Sequence, residues 1–94
     1  MGARLTILME AWADGDLDGV PRADLVEGFR RLRRTPDAGK PLTGDLKGLR
    51  SLRFGGSAGR IVYRQLSDGT VEVIAVGWRR DDEVYHTAER RVGP

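Results

Sequence analysis

No cysteine occurs in the 94 residues, which excludes a disulfide scaffold, a thiol nucleophile and cysteine-ligated zinc. The single histidine, His86, leaves no basis for a histidine-built metal site. No apolar run approaches the ~20 residues of a membrane span, and the N-terminus lacks a secretory hydrophobic segment, so the expected location is the cytoplasm, away from membranes. What remains is one domain's length of chain, read as a single core over residues 1–94. A chain this short buries only about 60–65% of the surface it exposes when unfolded. Its stability is therefore modest, and a bound partner adds to it.

The formal net charge of +2 hides an asymmetry. Residues 1–46 hold 7 Lys+Arg against 8 Asp+Glu, whereas residues 47–94 hold 9 against 6, and eight of those nine bases are arginine. Arginine presents a planar fork that matches phosphate oxygens and stacks on bases. A basic, arginine-biased half points to an anionic partner, of which nucleic acid is the commonest, or to a solvated surface that merely favours arginine.

Along the chain, residues 4–9 read as a short first strand, and residues 13–19 as an Asp-capped turn. The Asp spacing there is that of a calcium loop, yet Leu25 stands where the closing acid belongs. A helix is marked from Pro21 to Arg34, with Leu25, Phe29 and Leu32 at i, i+4, i+7 and Pro36 as its stop. Its terminal arginines complement the helix dipole or form a phosphate patch. Residues 39–44 read as a loop. A strand follows from near Gly48, then a glycine-rich turn at 54–59 and a strand over 60–66. Ser67-Asp68-Gly69 is a hairpin turn, and Thr70–Trp78 returns as a central strand covered on both faces. Asp82–Arg91 closes as a helix, with Asp81 or Asp82 as its N-cap. The pattern predicts an α+β fold: a small, mostly antiparallel sheet with the helices packed on one face.

Catalytic motifs are scarce. The glycine-rich turn precedes a strand instead of opening a helix, so it is no phosphate loop. No Gly-x-Ser-x-Gly elbow exists, one histidine builds no Ser/His/Asp set, and no carboxylate pair spans a cleft. The arginines on the meander remain. Arg60 and Arg64 share a face in period-2 geometry, and Arg79 and Arg80 stand where the last strand ends. Unpaired charge inside a small sheet costs several kcal/mol. These side chains are either solvated or line an anion site. With Tyr85 nearby the composition is that of an RNA-phosphate site.

Three pieces in order carry a resemblance: Gly39-Lys-Pro-Leu-x-Gly-x-Leu-x-Gly-Leu-Arg-Ser-Leu-Arg53, then Gly-Arg-Ile-Val-Tyr-Arg64, then Val76-Gly-Trp-Arg79 through Glu83-Val-Tyr85 to Ala88-x-x-Arg91. The stretch from Gly39 to Val92 resembles the RelE/ParE superfamily of toxins from bacterial type II toxin–antitoxin modules. The resemblance implies a RelE-like fold and a cytoplasmic toxin neutralised by a cognate antitoxin. RelE-like members cleave mRNA in the ribosomal A site, with no cofactor or metal, by turning the 2′-OH on the adjacent phosphodiester. That chemistry needs a proton acceptor, cations for the phosphorane and a proton for the leaving oxygen.

By that resemblance Arg60, Arg79 and Tyr85 are the catalytic residues, and Arg53 contacts phosphate. Arg50, Lys47, Arg80 and His86 join as RNA-binding groups, His86 also as a second acid or base. The lysines of the RelE-like pattern fall at Leu49 and Ser51 here. That departure keeps open a ParE-like inhibitor of DNA gyrase, or a binding module that only engages the antitoxin.

Overall fold

In the computed structural model, which describes residues 2–56 and 58–93 and only the backbone of Asp81, the chain runs β1 (Leu5–Ile7), α1 (Met9–Ala13), α2 (Arg22–Arg34), β2 (Lys40–Pro41), β3 (Arg50–Phe54), β4 (Gly59–Gln65), β5 (Val71–Trp78) and α3 (Glu83–Val92). Short 3₁₀ turns span Asp16–Gly19, Gly44–Leu46 and Arg80–Asp82. The five strands form one sheet in the order β1-β5-β4-β3-β2. β1 lies parallel to β5, Leu5 beside Val71, and the other pairs are antiparallel.

Helix α2 forms where the apolar spacing predicts. Leu25, Gly28 and Leu32 are its buried residues. Gly28 is there for clearance, since a Cβ would lie 2.8 Å from Ile61 Cδ1. Thr35 leaves the helical region before Pro36, as a residue preceding proline does. The hairpin turn is also as expected: Gly69 has φ +89°, and the Asp68 carboxylate accepts the Thr70 N–H at 2.9 Å.

Strand alternation divides the apolar side chains between two faces. Leu52, Phe54, Ile61, Tyr63, Val71, Val73 and Val76 pack with Leu25 and Leu32 of α2. Leu49, Val62, Ile74 and Ala75 pack with Val84 and Ala88 of α3. Ile74 and Ala75 share a face because the ladder slips beside Val62 and Tyr63, leaving Ile74 extra. The α+β class and mostly antiparallel sheet are those expected, but the helices are not gathered on one face. β4 and β5 are apolar on both sides, so each face needs its own cover, α2 on one and α3 on the other.

Other boundaries move for local reasons. The first strand stops at Ile7, and Met9 opens the five-residue α1, whose Ala11 is fully buried. The expected loop at 39–44 contains β2, a two-residue edge strand where Pro41 is tolerated. Asp82 stands at the start of α3 with φ +55° and makes no side-chain cap bond. The alternative cap, Asp81, has a side chain outside the described residues. No helix among the described residues is long and apolar enough to cross a membrane.

Candidate functional site

Arg60, near the start of β4, is 6% exposed, and its Nη1 donates to the Gly59 carbonyl at 2.9 Å. Directly across the ladder stands Arg53 of β3. Like charges opposite each other in an antiparallel pair destabilise a sheet. By alternation Arg53, Arg60, Ser51 and Val62 lie on the face that α3 covers.

The exit of β5 comes to the same corner. The Arg79 N–H donates to the Ala58 carbonyl at 2.9 Å, holding it beside the β3–β4 turn. Ala58, Arg60, Trp78, Arg79 and Arg80 line a shallow depression of about 400 Å³. None of these lining residues is acidic, and three of the five are arginines. Trp78 forms its wall, stacked on Phe54 with ring centroids 6.4 Å apart and its indole N–H donating to the Gly19 carbonyl at 3.0 Å.

Tyr85 is half-buried on α3, and its hydroxyl shares a hydrogen bond of 3.0 Å with Ser51 Oγ. Ser51 is two residues, about 7 Å along the strand, before Arg53, so it places the phenol beside the strand that carries Arg53. The expected residues thus separate. Arg60, Arg79 and Arg80 come together, with Arg53 across the ladder and Tyr85 one step away.

Three others are not brought in. Arg50 points to the opposite face from Ser51, and its Nη1 donates to the Gly39 and Asp37 carbonyls at 2.8 and 3.2 Å. It holds the loop after α2. His86 is exposed on the side of α3 away from the buried Val84 and Ala88. Lys47 is exposed at the end of the 3₁₀ turn before β3, outside the lining of the depression. Arg64 is engaged with Glu72 at 2.7 Å.

Sequence reasoning passed over Ser51 as a partner of Tyr85, marking it only as a place where the resemblance expects lysine. It also passed over Asp16 and Arg91. The Asp14 and Asp16 carboxylates, spaced as in a calcium loop, instead bind Arg91 at 2.8 Å each. Hydrogen bonds to Asp16 are the chief reason the Arg91 guanidinium is held more firmly protonated than usual.

Comparisons with known proteins agree with this architecture. A family model described as "ParE toxin of type II toxin-antitoxin system, parDE" matches residues 21–83. No curated protein matches the chain. Among solved structures, a double arginine-to-alanine mutant of the E. coli toxin RelE in the free state matches with a TM-score of 0.71. That match covers 98% of this chain and 99% of the other at 22% identity, and it shows a shared fold.

Proposed function

The chain belongs to the family of ParE toxins of type II toxin–antitoxin systems; from its arginine-lined depression and the fold it shares with RelE, we propose that this toxin is a ribosome-dependent mRNA endonuclease restrained by a cognate antitoxin. The observation that carries this reading is the depression in which Arg60, Arg79 and Arg80 converge, with Arg53 across the ladder. It suits a bent phosphodiester in the ribosomal A site. The 2′-oxygen bonds to phosphorus and the bond to the 5′-oxygen breaks. Arg60 and Arg79 meet the charge that builds on the non-bridging oxygens. Tyr85, hydrogen-bonded to Ser51, accepts the 2′-hydroxyl proton in its phenolate form, and a water molecule protonates the leaving 5′-oxygen. Side chains supply all the charge this scheme requires.

A second reading, inhibition of DNA gyrase, is favoured by the name of the matching family model and by the absence of lysine at Leu49 and Ser51. Induced expression without antitoxin, with mRNA 5′ ends mapped within minutes, separates the two. Cuts inside translated codons, lost in the Arg60→Ala/Arg79→Ala double variant, are the expected result. Growth arrest with intact mRNA, double-strand DNA breaks and an SOS response would replace the proposal with gyrase inhibition. No arrest at all would leave an antitoxin-binding module.

A further inference from the structure

The outer edge of β5 loses its neighbour halfway along. β1 ends at Ile7, and the last strand-like bond there runs from the Leu8 N–H to the Val73 carbonyl. Beyond it, side chains replace the missing strand. Asp16 Oδ2 accepts the Val76 N–H at 3.0 Å, and Arg91 Nη1 donates to the Ile74 carbonyl at 2.9 Å. The two side chains are themselves joined by a fork. Arg91 Nη1 meets Asp16 Oδ2 at 2.8 Å and Nη2 meets Oδ1 at 2.9 Å, with Asp14 adding a third contact at 2.8 Å. Arg91 is 5% exposed and Asp16 10%.

An ion pair this deeply buried is a poor device for stability, because desolvation offsets most of the attraction. What a bidentate fork adds is direction. The 3₁₀ turn that begins at Asp16 ends at Gly19, whose carbonyl holds the Trp78 indole. That turn therefore fixes β5 at Val76 and at Trp78, the residue before Arg79. At its other side the fork fixes α3, which carries Tyr85 six residues, about 9 Å, before Arg91. Both halves of the candidate site hang from one cross-tie.

We propose that Asp16 and Arg91 are a positioning pair, whose fork sets Tyr85 on α3 relative to Arg79 at the exit of β5. The geometric half of this stands on its own, and its catalytic consequence rests on the RNA-cleavage reading. The test uses the full chain, labelled with ¹³C at the tyrosine ring. With Tyr63 the only other tyrosine, a Tyr85→Phe variant assigns the two signals. Arg91→Met should shift the Tyr85 signal while leaving that of Tyr63 in place.

On programmed ribosomes Arg91→Met should lower the single-turnover cleavage rate about 100-fold, the scale of a 1 Å misplacement. The half-saturating concentration should not change. In the Tyr85→Phe background the same substitution should cost almost nothing, and Arg91→Lys, which keeps the charge but not the fork, should restore little. An unmoved Tyr85 signal, or equal loss with and without the phenol, would overturn the proposal. If Arg91→Met does not fold, Asp16→Asn and Arg91→Lys face the same two criteria. If the unsubstituted protein cuts no mRNA, the cleavage reading fails, and the Tyr85 signal alone decides the positioning claim.

Discussion

Replacing Tyr63 by phenylalanine removes one oxygen and leaves the packing intact, so it isolates a single polar contribution. The ring is fully buried. Its hydroxyl donates to the Pro36 carbonyl at 2.7 Å and accepts the Gly39 N–H at 2.9 Å, tying the loop after α2 to β4. In Tyr63→Phe the Pro36 carbonyl, partly exposed, turns to water. The Gly39 N–H stays buried with its acceptor gone, which costs ~1–3 kcal/mol. A loss of about 2 kcal/mol lowers the melting temperature of a domain this size by ~8–16 °C.

The same residue gives the loss a pH dependence. Burial pushes the Tyr63 phenol above its ordinary value of 10.0, against the smaller opposing pull of the Gly39 N–H and the Arg50 charge. Above that ordinary value the unfolded chain releases the proton first, so the native state binds more protons. Stability then falls as pH rises toward the elevated native value. Phenylalanine has no such loss, so the gap between the two proteins should narrow above about pH 10. Urea unfolding at neutral pH and in alkaline buffer measures both effects. A neutral-pH difference within experimental error, or a gap that widens in alkali, would refute the reasoning.

Arg53→Thr removes a like-charge neighbour from Arg60 and should leave stability unchanged or raise it by ~0.2–1 kcal/mol, while mRNA cleavage falls; a clear loss of stability in urea would contradict this. Gly59→Ala places a Cβ 2.6 Å from the Phe54 ring, and because that ring is stacked on Trp78 the substitution should destabilise by ~1–3 kcal/mol, read by thermal unfolding. His86→Ala should leave the cleavage rate and its pH profile as they are, since the imidazole faces away from the sheet. A changed profile would return His86 to the site.

Part of this molecule is written locally in its residues. The i, i+4, i+7 spacing of Leu25, Phe29 and Leu32 makes α2, and Pro36 ends it. Asp68-Gly69 makes the β4–β5 turn, and the nearly continuous Val73–Val76 run marks a strand covered on both sides. The arginines that matter were visible as types and positions. Their grouping was not, because Arg50 and Arg53 differ by three residues and point to opposite faces, a matter of register.

The decisions that belong to tertiary structure involve residues far apart in the chain. Whether α3 shares a face with α2 depends on which side of β5 remains uncovered. The parallel placement of β1 beside β5, and the fork between Arg91 and Asp16, join positions separated by 66 and 75 residues. Asp14 and Asp16 gave a turn signal because short-range patterns report only neighbours within a few residues. Their partner is fixed by chain closure across the sheet, and composition determined the charges whereas packing determined which of them meet.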